Sequence, residues 1–267
     1  MRLLVSVRSA DEVEPALSGG ADIIDAKEPG NGSLGSVSPA TLAEVASRVP
    51  SNQELSVALG DVSSVAQVTA LVDGLWLPPR SATTYLKLGF AGLRSPETVR
   101  ELLGAAIGAA SRHRSRVTII AVAYADAERA AALPAEVILR AAEVLGAGGL
   151  LMDTHLKDGT RLLDWQTPES LAAWVFRARE SGLMAGLAGA LRSDDVAALA
   201  KADADVIGFR GAACDAGRLG QVSIERVAVL RRCVDAATGN SEAGSTYIAH
   251  AWRNAGFRGK SEASVKR

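Results

Sequence analysis

Asp22-Ile23-Ile24-Asp25-Ala26-Lys27-Glu28-Pro29-Gly30 is an apolar pair flanked by carboxylates, running into an amine and stopping at proline and glycine. It reads as a short strand that ends in charge. Side chains alternate along a strand, so Asp25 and Lys27 point to the same side. In a parallel α/β protein, ligands bind at the C-terminal ends of strands, where this pair sits.

Further apolar runs at 3–7, 55–59, 85–88, 117–123, 150–153, 183–187 and 205–209 complete a set with 22–26. Between them lie stretches with helical periodicity at 10–18, 39–48, 62–73, 95–112, 134–145, 168–180, 193–200 and 222–234. Ser9, Ser38, Ser95 with Pro96, Thr167 with Pro168, and Ser193 mark helix starts, and Gly19, Gly146 and Gly182 mark stops. Strict alternation means parallel strands joined by right-handed crossovers. Eight units predict an α/β fold of the TIM (β/α)8 barrel type over 1–234, with a doubly wound sheet as the alternative. Residues 235–245, rich in Ala, Gly, Ser, Thr and Asn, read as a linker; the tail to 267, with Tyr247, Trp252 and Phe257, reads as a disordered end or short appended helix, with docking of its aromatics on the barrel or a partner subunit as the alternative.

The net charge of −1 and pI near 6.3 give no general basic surface for nucleic acid or an anionic membrane. The chain enters a strand at once and contains no apolar run of membrane-spanning length, so a cytoplasmic location is expected. Cys214 and Cys233 form no disulfide framework, and His113, His155 and His250 have no paired spacing, so neither a metal nor another cofactor is expected. Small molecules are the expected partners, and homo-oligomerisation stays open.

The chain has six lysines against 23 arginines. Lys27, Lys87 and Lys157 end or follow the second, fourth and sixth strands. Alternate strands of a barrel supply one layer of side chains, so these three can meet at its mouth. Clustering and burial disfavour protonation, and a neutral lysine forms a Schiff base with a carbonyl, which arginine cannot do. Asp25 and Asp153 would position the amines, with Asp153, His155 and Lys157 sharing a face if the chain stays extended. A single Lys–Asp pair reads as a rim salt bridge; three lysines at matching places favour chemistry. Asp61 and Asp126 follow the third and fifth strands and read equally as helix caps or ligand contacts, and Tyr124 as a hydrogen-bond donor or packing. Gly189 and Ala190 after the seventh strand, and Arg210 and Gly211 after the eighth, are candidate phosphate-binding residues, against a reading as tight turns.

These stretches also resemble the (5-formylfuran-3-yl)methyl phosphate synthases of methanofuran biosynthesis. The resemblance runs from residue 1 to about 234 and rests on Gly-Gly-Ala-Asp-Ile-Ile-Asp-Ala-Lys-Glu-Pro at 19–29, Gly-Ser-Leu-Gly at 32–35, Gly-Asp-Val at 60–62, Lys-Leu-Gly at 87–89, Tyr-Ala-Asp at 124–126, Asp-Thr-His-Leu-Lys-Asp-Gly at 153–159 and Gly-Phe-Arg-Gly-Ala-Ala-Cys at 208–214. It implies a TIM barrel that joins two molecules of glyceraldehyde 3-phosphate into a phosphorylated furan aldehyde with loss of phosphate and water. It further implies that Lys27 is the Schiff-base lysine and Lys87 the proton-transferring one, with Asp25, Asp153 and Lys157 in the same site. His155 stands where the family pattern has an aromatic, and Ala190 where it has Ser. A simpler Schiff-base aldolase of a phosphorylated sugar, and a non-catalytic sugar-phosphate sensor, are the competing readings.

Overall fold

The structure, a computed structural model, describes residues 1–113 and 116–239. Eight strands pair in parallel, in chain order, into a closed barrel. The chain runs β1 (Arg2–Val7), α1 (Val13–Ser18), β2 (Ile23–Ala26), α2 (Pro39–Arg48), β3 (Glu54–Asp61), α3 (Val65–Asp73), β4 (Thr84–Gly89), α4 (Pro96–Ala110), β5 (Val117–Tyr124), α5 (Ala135–Leu145), β6 (Gly149–Asp153), α6 (Leu162–Trp165), α7 (Pro168–Glu180), β7 (Met184–Leu187), α8 (Val196–Ala200), β8 (Val206–Phe209) and α9 (Ile224–Thr238). The closed order excludes the doubly wound alternative.

The expected elements are present, with shifted ends. Side chains of Ser38, Ser95 and Thr167 accept an N–H from the first turn of their helices, as read, and Ser64 and Ser223 do the same for α3 and α9. Each such cap contributes about 1 kcal/mol. The Ser9 side chain makes no cap bond, and Ser193 lies inside a single 3-10 turn rather than before it. A short helix, α6, occupies the β6–α7 connection that the sequence leaves as loop. The last helix continues to Thr238, four residues beyond 234, because Ala236, Ala237 and Thr238 sustain it until Gly239 takes a left-handed φ of 72°. The aromatic tail lies outside the described residues.

Two apolar layers form on the two sides of the sheet. The outer one packs helices onto β-strands and includes Leu3, Val5, Ile24, Leu55, Leu86, Leu102 and Val227. The inner one fills the barrel with Leu4, Ile23, Ala58, Ile120, Val122, Leu151, Met184 and Val206. Arg2, Glu54 and Tyr85 close the N-terminal end, where the Arg2 guanidinium donates to the Glu54 carboxylate and to the Tyr85 hydroxyl at 3.1 Å. The opposite end is left for polar groups.

β3 carries a register shift between Ala58 and Asp61, and Gly60 there has a φ of +88°. Such a bulge re-aims the following side chain. Asp61 is turned toward β4 and β5 as a result, accepting the Ala91 N–H at 2.8 Å and the Tyr124 hydroxyl at 2.7 Å. Gly89 is required beside them, since a Cβ there would collide with the Asp61 carboxylate and the Tyr124 hydroxyl.

Candidate active site

A cavity of about 380 Å³ opens at the C-terminal end of the barrel. Its floor and near wall are polar: Ser6, Asp25, Lys27, Lys87, Asp153 and Lys157. Its far wall comes from the loops after β7 and β8, including Gly189, Ala190, Arg192, Gly211 and Arg218.

Asp25 and Lys27 are both directed into the barrel mouth, and each is buried. They do not pair with each other. Lys87 reaches from β4 so that its Nζ lies 2.7 Å from Asp25 Oδ1, an ion pair at an angle outside good hydrogen-bond geometry. The second Asp25 oxygen accepts the Ser6 hydroxyl at 2.7 Å. Burial alone would raise the Asp25 carboxyl; the charges of Lys87 and then Lys27 outweigh it and hold the group below its usual range.

A second ion pair lies across the cavity. Lys157 Nζ donates to Asp153 Oδ1 at 2.8 Å, to the Thr154 carbonyl at 2.7 Å and to the Thr154 hydroxyl at 3.0 Å. Asp153, like Asp25, is held below its usual range: burial opposes this, and Lys157 and Lys27 overcome it. The chain does not stay extended after Asp153. It turns, so Lys157 folds back over Asp153 while His155 points elsewhere.

Lys27 remains between these pairs. Among the described residues its amine makes no hydrogen bond and has no carboxylate within ion-pair distance, unlike Lys87 and Lys157. Burial is the largest influence on its amine and lowers it; Asp153 and Asp25 pull upward, Lys87 and Lys157 downward. The result is a pKa of about 8, against 10.5 for a free lysine. About a tenth of such an amine is neutral at pH 7.

The loop after β7 contributes backbone. Gly189 has a φ of +119° and Ala190 a φ of +51°, a strained value for a residue with a Cβ. Among the described residues the N–H groups of Gly189, Ala190 and Leu191 meet no acceptor. Such free donors suit an anion.

Four expected contact residues lie off the cavity wall. Asp61 and Tyr124 are consumed by the bulge cluster described above, and burial followed by Asp61 pushes the Tyr124 phenol well above its usual value. Asp126 accepts the N–H groups of His155 and Leu156 at 2.6 and 3.0 Å, fixing the turn after β6. His155 stacks edge-on against Tyr124, ring centroids 4.9 Å apart. Neither aspartate is a helix cap: Ser64 caps α3, and Pro134 precedes α5.

Arg210 borders the cavity but has no donor to offer a substrate. Its guanidinium bonds to Glu12 through both terminal nitrogens, to the Ser6 carbonyl at 2.9 Å, to the Gly220 carbonyl at 2.7 Å and through Nε to the Arg218 carbonyl at 3.0 Å. The expectation that Arg210 binds phosphate is therefore corrected; it braces the β8–α9 loop. Ser6, Glu12, Arg192 and Arg218 are absent from the sequence-derived set. Ser6 is detectable in principle, as a polar residue at an inward position of an apolar strand, Leu3-Leu4-Val5-Ser6-Val7. Glu12, Arg192 and Arg218 carry no local signal.

Comparison with known proteins agrees with this architecture. Among solved structures, phosphoribosyl anthranilate isomerase from Thermus thermophilus shares the fold, with a TM-score of 0.55 at 13% identity over 88% of this chain and 99% of that one. A sequence profile described as 4-HFC-P synthase matches residues 3–231. A Methanopyrus kandleri protein named (5-formylfuran-3-yl)methyl phosphate synthase is 36% identical over 220 residues, covering 81% of this chain and 90% of the relative. A Methanothermobacter thermautotrophicus protein of the same name is 34% identical over 243 residues, covering 88% of this chain and 99% of the relative. With the profile spanning the barrel from its first strand into its last helix, the chain belongs to the 4-HFC-P synthase family of enzymes.

Proposed function

We propose that this enzyme is a (5-formylfuran-3-yl)methyl phosphate synthase that condenses two molecules of glyceraldehyde 3-phosphate through a Schiff base on Lys27. The observation that carries this reading is the unpartnered Lys27 amine, with a pKa of about 8, between two lysine–carboxylate ion pairs in one cavity. The relatives' names support the product.

Neutral Lys27 attacks the carbonyl carbon of one triose phosphate, and loss of water gives an iminium. The iminium acidifies the adjacent C–H and serves as the electron sink. Removal of that proton leaves an enamine, which expels the phosphate from the neighbouring carbon. The CH2 terminus of the resulting enol bonds to the ketone carbon of the second triose, isomerised to dihydroxyacetone phosphate. The free hydroxymethyl oxygen of that triose closes the ring, and two dehydrations and hydrolysis of the imine give the furan aldehyde; one phosphate and two waters balance two trioses against one product. Lys87 with Asp25, and Lys157 with Asp153, are the proton-carrying groups within reach. The N–H groups of Gly189–Leu191 supply donors for a phosphate without needing a hydroxyl at position 190.

Borohydride reduction in the presence of glyceraldehyde 3-phosphate should trap a covalent adduct, and peptide mass spectrometry should place it on Lys27. An adduct on another lysine, or furan formation by Lys27→Ala, sinks the assignment. Product analysis separates the synthase from a simple aldolase: the former accumulates a furan chromophore, the latter reversibly cleaves a sugar phosphate.

A further inference from the structure

Arg218 belongs to none of the sequence motifs, yet its side chain is part of the cavity wall facing the lysines. Its Nη2 donates to the Gly32 carbonyl at 2.6 Å. That contact crosses the mouth, from the β8–α9 loop to the β2–α2 loop that starts at Lys27. Among the described residues its Nε and Nη1 meet no acceptor. The side chain is half-buried, next to Gly211, and it senses the Asp153 carboxylate.

The backbone beneath Arg218 is held firmly. Arg210 grips the carbonyls of Arg218 and Gly220, and Arg210 is itself fixed by a buried ion pair with Glu12. A guanidinium anchored through one Nη2 hydrogen still presents a fork of two N–H donors in a set direction, the second Nη2 hydrogen beside one on Nε or Nη1. That geometry matches two oxygens of a phosphate monoester. A strap with no ligand role would need only the edge that meets Gly32.

We propose that Arg218 recognises the phosphate of a triose phosphate bound in the cavity, and that the Glu12–Arg210 pair is the positioning unit that aims it. This deepens the synthase reading and rests on it for the substrate class.

The test compares glyceraldehyde 3-phosphate with unphosphorylated D-glyceraldehyde, using borohydride trapping on Lys27 as the readout. Arg218→Gln should lower trapping efficiency with the phosphorylated aldehyde by about 10- to 100-fold, the size of a lost charge-assisted pair, and change it less than about two-fold with D-glyceraldehyde. Arg218→Lys should fall between. Equal losses with both aldehydes would overturn the proposal and leave Arg218 as a loop strap. Binding of inorganic phosphate, measured by calorimetry on the wild type and Arg218→Gln, is independent of imine chemistry: it should weaken at least about ten-fold, and unchanged binding overturns the proposal. Absence of any wild-type adduct on Lys27, with phosphate binding still lost in Arg218→Gln, would sink the Schiff-base reading alone. Glu12→Gln should raise KM for glyceraldehyde 3-phosphate while kcat stays near the wild-type value; a matching loss with D-glyceraldehyde would show that Glu12 only supports the fold.

Discussion

Lys87 Nζ lies 2.7 Å from Asp25 Oδ1, so the carboxylate two residues before Lys27 is committed to a lysine two strands away. This relationship leaves Lys27 free and sets what each group does when altered.

Replacing Asp25 by Asn leaves the Lys87 ammonium buried without its counter-charge. Breaking one side of such a buried pair costs about 3–5 kcal/mol. Denaturant unfolding should register that loss, and furan formation should fall to background. Because Asp25 is held below 3.8 in the fold, its contribution is present above that value and is lost as the pH falls further. Asp25→Asn should therefore flatten the acid side of the stability curve.

Lys27 gives a slope of the same sign for the opposite reason, because there the fold disfavours the charged form. With a folded value of about 8 and a free value of 10.5, the unfolded chain holds more protons between those limits, so stability should rise with pH across that window. Lys27→Met should remove the rise and make the protein more stable at pH 7 by about 1–3 kcal/mol. The rate of imine trapping in the wild type should increase with pH and level off above about 8, following the neutral amine. A flat profile would show that the adduct-forming amine is another one.

The bulge cluster predicts structural rather than chemical effects. Gly89→Ala drives a Cβ into Asp61, Tyr124 and Leu34 and should lower stability by about 1–3 kcal/mol. Tyr124→Phe removes one of the two donors to Asp61 Oδ1 and should cost about 1–2 kcal/mol while keeping most of the activity. A loss of turnover in Tyr124→Phe as deep as that in Asp25→Asn would place Tyr124 in the chemistry.

Ala190 lines the cavity beside three free N–H groups. Ala190→Ser adds a hydroxyl donor there and should lower KM for glyceraldehyde 3-phosphate by about 3- to 10-fold, a neutral hydrogen bond's worth, with kcat little changed. Steady-state kinetics on the single variant decides it; an unchanged KM would place the phosphate away from this loop.

The barrel is legible in the sequence because its determinants are local. Apolar runs such as Ile23-Ile24 and Ile119-Ile120 form strands covered on both faces, and Ser38, Ser95 and Thr167 announce helix starts through bonds made within one turn. The placement of Lys27, Lys87 and Lys157 at one end also follows from local order, since strand polarity alone puts them there. The chain by itself thus determined the fold, the end of the barrel that holds the site and the three amines on its wall.

Partner choice was decided by tertiary structure. Asp25 faces both Lys27 and Lys87, and strand stagger selects Lys87. The bulge at Gly60 turns Asp61 onto Tyr124, and the turn after Asp153 sends His155 away from Lys157. Arg210 and Arg218 are alike as residues eight apart; only the buried carboxylate of Glu12, from the far end of the chain, makes the first a brace and leaves the second facing the cavity. Ion pairs and hydrogen bonds act over a few ångströms between segments distant in sequence, so which carboxylate meets which cation depends on closing the barrel.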